Sequence, residues 1–237
     1  MPDINTLVKE LTLEEKISLL TGFNSWYSNK IPRLKIPSMK MSDGPNGVRG
    51  DSTSGKSSAC FPCPISMGST WNKKLIKKIG TALGEEALDK DVDVLLGPTI
   101  NLHRHPLGGR HFENFSEDPF LTAEIAVAYV KGVQSKRVSA CLKHFVANDT
   151  EFERHTVSSN LDERTLREVY LLPFEMGIKK AKAKSVMSAY NKLNNIYCSS
   201  NEDLLVKVLK KEWGFDGYVV SDWGAALETI ELSLIHI

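Results

Sequence analysis

Two rhythms of apolar residues alternate along this chain. Stretches with helical spacing are separated by short, nearly continuous apolar runs. Thr12 and Glu15 make a capping-box pattern ahead of Ile17, Leu19 and Leu20, and Gly22 follows as a stop. Leu75, Ile76, Ile79, Leu83 and Ala87 form an amphipathic stripe. Further helices are expected over 120–134, with Pro119 in the first turn, over 162–184 with an interruption at Pro173, and over 201–212 with Leu204, Leu205, Val208 and Leu209 inward. The apolar runs are 39–41, 92–96, 138–142, 185–189 and 218–220. Several lack strict alternation, as strands covered on both faces do. Strand and helix in repeated succession predict parallel βαβ units. An open doubly wound sheet and a (β/α)8 barrel both fit this pattern.

Each apolar run leads into polar chemistry. Ser42-Asp43-Gly44-Pro45-Asn46-Gly47-Val48-Arg49 follows the first run. Gly97-Pro98-Thr99-Ile100-Asn101-Leu102-His103-Arg104-His105 follows the second, and Arg110 lies beyond it. Lys143-His144 follows the third, Tyr190-Asn191 the fourth and Asp222-Trp223 the fifth. In a barrel these positions share the face where functional residues gather. Taken singly, each has a structural reading: a turn former, a surface charge, a satisfied core histidine, or a helix cap for Asp222. Together they suit a polyhydroxylated ligand, because carboxylate, guanidinium and ammonium groups bind hydroxyls strongly. Asp222 is then a candidate nucleophile, with Lys143 and Arg110 as cations that keep it ionised. His103, His105, His111, His144 and Asp222 also permit a metal site, but Arg104 and Arg110 would set cations beside a cation.

Composition narrows the classes. The 237 residues are 41% hydrophobic and 25% charged, within the globular range, and the net charge of +1 gives no reason to expect a nucleic-acid or membrane partner. Paired lysines at 73–74, 77–78, 179–180 and 210–211 read as solvated helix faces. No apolar stretch reaches the length of a membrane span, and the first residues lack a basic-then-apolar leader, so a cytoplasmic protein is expected. Cys60, Cys63, Cys141 and Cys198 read as reduced packing thiols, the single C-x-x-C being too little for zinc or redox chemistry. Gly50 to Ser57 matches a phosphate loop by letter, but no strand precedes it and no helix follows directly, so nucleotide binding is not expected.

The chain closely resembles the N-terminal domain of glycoside hydrolase family 3 β-glucosidases. The resemblance rests on Ser42-Asp43-Gly44-Pro45-Asn46-Gly47-Val48-Arg49, Gly97-Pro98-Thr99-Ile100-Asn101 and Pro106-Leu107-Gly108-Gly109-Arg110. It continues through Phe112-Glu113-Asn114-Phe115-Ser116-Glu117-Asp118-Pro119, Lys143-His144-Phe145, Ala189-Tyr190-Asn191 and Val220-Ser221-Asp222-Trp223. These motifs stand in family order and cover nearly the whole chain. The resemblance implies an α/β (β/α)8 TIM-type barrel, incomplete at its C-terminal end, and retaining hydrolysis of terminal β-D-glucosyl residues without a cofactor or metal. It implies Asp222 as nucleophile and Asp43, Arg49, Arg110, Lys143, His144 and Tyr190 around the glucosyl unit. Met187 and Trp223 line its walls, with Arg154 nearby.

Asn148 occupies the position where some subgroups carry a histidine acid, which points toward the β-glucosidase-like subgroup. There the acid/base glutamate belongs to a second domain, and neither Glu113 nor Glu117 is given that role. Residues 1–231 are therefore expected to form a partial barrel domain, with 232–237 a tail foreign to the family. On this reading the chain alone is nearly inactive. A sugar-binding fragment without turnover and a metal-dependent barrel hydrolase are the alternatives.

Overall fold

The computed structural model describes residues 3–50 and 56–226. Its elements in chain order are α1 (Ile4–Glu10), α2 (Leu13–Leu19), β1 (Met41–Asp43), α3 (Pro64–Ser69), α4 (Lys73–Asp89), β2 (Val94–Leu96), α5 (Pro119–Gln134) and β3 (Ser139–Phe145). There follow β4 (Ser158–Ser159), α6 (Glu163–Thr165), α7 (Leu172–Ala181), β5 (Ser185–Ser188), β6 (Lys192–Leu193), β7 (Ile196–Tyr197), the helical segment Asp203–Glu212 and β8 (Tyr218–Ser221).

Five parallel strands form one sheet in the order β1-β2-β3-β5-β8. Each new strand joins the same edge, and α4 packs on α5 and α5 on α7. All the crossover helices thus stack on one face. A doubly wound sheet reverses its strand order and places helices on both faces. The single direction here is that of a barrel, and the five strands make a curled half-barrel.

The alternation of side chains in each strand separates two apolar layers. Leu95, Ala140, Leu142, Val186 and Val219 join the helices in the main core. Val94, Leu96, Cys141 and Met187 form a second layer on the inner face, with Trp26, Met41, Tyr218 and Val220 packed against it.

The capping box forms: the Glu15 amide donates to Thr12 Oγ1 at 3.2 Å, and the Thr12 amide to Glu15 Oε2 at 3.0 Å. No residue of α2 is buried, however, so its apolar spacing does not mark a core face. In α4 the buried stripe is Ile76, Gly80, Leu83, Gly84 and Ala87, while Leu75 is exposed. The 162–184 helix divides into α6, a wide turn over Leu166–Tyr170 and α7. Pro173 lies in the first turn of α7, where its missing N–H costs no helical bond.

Two smaller features frame the sheet. The β6–β7 hairpin turns on Asn194 and Asn195, both at positive φ, as its two-residue turn requires. Along β1, the Ser28 amide donates to Met39 O at 3.0 Å and the Met41 amide to Trp26 O at 2.8 Å. This N-terminal hairpin reaches across to the far edge, where Trp223 Nε1 donates to Ser25 O at 3.1 Å.

Of the letters matching a phosphate loop, 51–55 lie outside the described residues, as does the whole tail 232–237. The next helix begins only at Pro64. Among the described residues no helix is long and apolar enough to cross a membrane.

Candidate active site

Five inward-facing positions meet at one end of the half-barrel: Asp43 on β1, Leu96 on β2, Lys143 on β3, Met187 on β5 and Asp222 just beyond β8. They line a cavity of about 390 Å³, with Arg110, His144, Arg154, Tyr190, Trp223, Ser25 and Trp26 completing the wall. Asp43 stands within β1 rather than on the loop after it, because the ladder pairs Asp43 with Leu96. β3 likewise extends through Phe145, so Lys143 and His144 belong to the strand. Consecutive strand residues normally face opposite ways. Both reach the cavity here, where the pairing of β3 with β5 shifts register between Leu142 and Phe145.

The charges are paired in a ring. Lys143 Nζ donates to Asp43 Oδ1 at 3.1 Å. Burial tends to raise the Asp43 carboxyl, but Lys143, with help from Arg49, outweighs it and holds the group below its ordinary value. Arg110 Nε donates to Glu113 Oε1, and Glu113 Oε2 accepts from Thr99 Oγ1 at 3.2 Å. Arg110 Nη1 also lies 3.7 Å from Glu151 Oε1. Glu151 in turn accepts from Arg154 Nη1 at 2.8 Å, and the Arg154 guanidinium lies 4.6 Å from the centre of the Tyr190 ring. Gly109 makes this approach possible. Its φ is +90°, and a Cβ there would stand 2.8 Å from the Glu151 side chain.

Asp222 differs from the other carboxylates. Its Oδ1 accepts from the Trp223 amide at 2.9 Å, but buried Oδ2 has no hydrogen-bond partner among the described residues. The nearest cationic candidate, His144 Nε2, is 3.5 Å away. The Tyr190 hydroxyl, which stands close enough to Asp222 to act on it, gives its proton to Trp223 O at 2.8 Å. Burial raises the Asp222 pKa, and the Trp223 amide, Lys143, Arg110 and the neighbouring Tyr190 hydroxyl moderate the rise. Burial, reinforced by Asp222, pushes the Tyr190 phenol up to about 12. His144 is held well below its ordinary value by burial and by Lys143, Arg110 and Arg154, so the imidazole is neutral.

This arrangement can bind hydroxyl groups on several sides while leaving one carboxylate oxygen free beside the cavity. The family model of the glycosyl hydrolase family 3 N terminal domain matches residues 10–234. The chain belongs to glycosyl hydrolase family 3. A β-glucosidase of Rhizobium radiobacter is 55% identical over 230 residues, covering 96% of this chain and 28% of the relative. Thermostable beta-glucosidase B of Acetivibrio thermocellus is 48% identical over 236 residues, covering 96% and 31%. Among solved structures, β-glucosidase 3B from Thermotoga neapolitana in complex with glucose superposes with a TM-score of 0.93 at 44% identity, covering 98% of this chain and 36% of that one. The β-glucosidase from Kluyveromyces marxianus in complex with glucose gives a TM-score of 0.94 at 43% identity, covering 97% and 28%. The chain thus spans less than a third of the curated relatives it matches.

Eight of the nine residues singled out in this family 3 chain line the cavity: Asp43, Arg110, Lys143, His144, Met187, Tyr190, Asp222 and Trp223. Arg154, expected nearby, lines it too. Arg49 does not: its exposed side chain stands behind Asp43, with Nη1 3.7 Å from Oδ2. Ser25, Trp26 and Leu96 were not anticipated. Leu96 could have been found by following the inward parity of β2, whereas residues 21–38 carry no periodic pattern to mark Ser25 or Trp26. His103 directs Nε2 toward two backbone carbonyls, His111 O at 3.0 Å and Asn114 O at 3.1 Å. Among the described residues no three His, Cys, Asp or Glu side chains converge on a metal-binding position. All four cysteines are free thiols.

Proposed function

We propose that this chain supplies the glucosyl-binding wall and the nucleophile of a retaining β-glucosidase. The single observation that carries the reading is Asp222 Oδ2, buried at the cavity and without a hydrogen-bond partner among the described residues. Strand β8 holds it in place, the Asp222 amide donating to Ser188 O at 3.0 Å. On this reading Asp43, Lys143, His144, Arg110 and Tyr190 receive the sugar hydroxyls. Met187 and Trp223 form the walls, and Arg49 supports Asp43 from outside.

The reaction proceeds in two displacements. Asp222 Oδ2 attacks the anomeric carbon as its bond to the aglycone oxygen breaks, and the aglycone leaves with that electron pair and a proton from a general acid. Water then attacks the same carbon, the group that protonated the aglycone takes the water's proton back, and Asp222 departs as carboxylate. Two inversions restore the β configuration.

Asp43 and Asp222 are the carboxylates lining the cavity, and Asp43 is bound to Lys143. A carboxyl held below its ordinary value is a poor acid at neutral pH. The acid/base group is accordingly assigned to residues other than those described. Proton NMR of the first glucose released from 2,4-dinitrophenyl β-glucoside tests the reading. β-Glucose is expected first, and initial release of α-glucose excludes the double displacement.

A further inference from the structure

Asn101 lines no part of the cavity and has no place in the function proposed above. It is nevertheless bound to His144 at three atoms. Asn101 Oδ1 accepts from the His144 amide at 2.8 Å and lies 3.2 Å from His144 Nδ1. Asn101 Nδ2 donates to His144 O at 2.9 Å. The backbone sets this registry. Residues 97–101 run beside β3, with the Lys143 amide donating to Pro98 O at 3.2 Å and the Ile100 amide to Lys143 O at 2.7 Å.

The two backbone bonds determine which end of the Asn101 amide is oxygen. A flipped amide would set its NH₂ against the His144 N–H and its oxygen against the His144 carbonyl. With Oδ1 therefore an acceptor, the nearby Nδ1 must carry the proton. Arg110 Nη2 lies 3.2 Å from Nε2 and can only donate, so Nε2 must present its lone pair. Lys143, Arg110, Arg154 and Asp222 are the charged groups that act on this ring, the first three of them cations.

We propose that Asn101 is a positioning residue that fixes the His144 proton on Nδ1, so that Nε2 donates nothing to Asp222 and its Oδ2 stays free to attack. The inference rests on the reading of Asp222 as nucleophile. The opposite tautomer, or an imidazolium, would aim an N–H at Oδ2 across the present 3.5 Å. A hydrogen bond there must be broken before attack, which slows glycosylation about tenfold or more.

The test uses the full 237-residue chain. Long-range ¹⁵N–¹H spectra of the histidine-labelled protein should show His144 protonated on Nδ1 alone at pH 7. Protonation on Nε2 in the unaltered protein overturns the proposal, whatever the variants do. Asn101→Asp places a carboxylate against Nδ1, which favours the imidazolium. Its labelling by 2,4-dinitrophenyl 2-deoxy-2-fluoro-β-glucoside should slow about tenfold near neutral pH and recover as rising pH deprotonates His144. In Asn101→Ala only Arg110 still opposes a proton on Nε2, so a measurable fraction of His144 should carry its proton there. A merely structural role predicts slower labelling at every pH, with the tautomer unchanged in both variants, and that result also overturns the proposal. If the unaltered chain is labelled somewhere other than Asp222, the nucleophile reading fails, and the spectra alone decide whether Asn101 holds the His144 proton.

Discussion

Asp149 shows how one side chain couples this site region to pH. Its Oδ1 accepts from the Leu102 amide at 3.1 Å, joining the loops after β2 and β3. Burial pushes its carboxyl up to about 7, despite that bond and the nearby Arg104. A raised carboxyl pKa means that the folded state holds a proton the unfolded chain has already released. Stability from this group is full below about pH 4 and is lost as pH rises toward 7. Asn keeps an acceptor for Leu102 and removes the titration. Asp149→Asn should therefore reduce the fall in Tm between pH 5 and pH 8 by roughly 5–10 °C, read by thermal denaturation at both pH values. An unchanged fall would mean that other groups carry it.

At this scale the sequence was most legible where chemistry was concentrated. Asp43, Lys143 and Asp222 interrupt or follow apolar runs, so their exceptional types marked them. Asn101 stood in a Gly-Pro turn motif, and its three bonds to His144 span 43 residues. Local pattern reading has no access to such a contact. Nor did it separate Arg49, which lies beside Asp43 in space but outside the cavity.

Among the elements, the five strands of the sheet and the longer helices followed the apolar periods, the short α1, α3, β4, β6 and β7 carried no such signal, and element ends followed hydrogen bonds. β3 outlasts its apolar run because the polar pair Lys143-His144 still finds backbone partners in residues 98–100 and the Asn101 side chain. β1 lies two residues later than its apolar run, paired in register with β2. The helix layer depends on a different device. A Cβ on Gly80 would stand 2.5 Å from Tyr129 O, and one on Gly132 would stand 2.4 Å from Lys77 O. Only hydrogen at these positions lets α4 and α5 approach so closely. Gly80→Ala should destabilise the protein by about 1–3 kcal/mol through overpacking against backbone that cannot yield, despite the better helix propensity of alanine. Urea denaturation measures it, and an unchanged midpoint would show that the helices separate without cost.

For the whole molecule, the half-barrel and the choice of family were legible, because several motifs in fixed order specify far more than any single one. The position of the N-terminal hairpin was not. It crosses from β1 to β8, where Trp26 stacks near Trp223 with ring centres 5.6 Å apart. It also encloses a second, more apolar space of about 500 Å³ against Met41, Tyr218 and Val220. If Asp222 is the nucleophile proposed above, the other carboxylate lining the cavity among the described residues, Asp43, is paired with Lys143 and offers no free acid, so the chain should depend steeply on leaving-group quality. In the glycosylation step, read as initial aglycone release, an aryl β-glucoside that needs protonation should react roughly 10²–10⁴-fold more slowly than with an enzyme that supplies the acid, while 2,4-dinitrophenyl β-glucoside is affected far less. Equal deficits on both substrates would place the fault in binding.

The most direct test of the account is covalent capture. The chain is incubated with 2,4-dinitrophenyl 2-deoxy-2-fluoro-β-glucoside, whose leaving group needs no acid, then digested and analysed by tandem mass spectrometry. The account predicts a fluoroglucosyl ester on Asp222, and no adduct in Asp222→Ala. An adduct on another carboxylate, or undiminished labelling of Asp222→Ala, would contradict it.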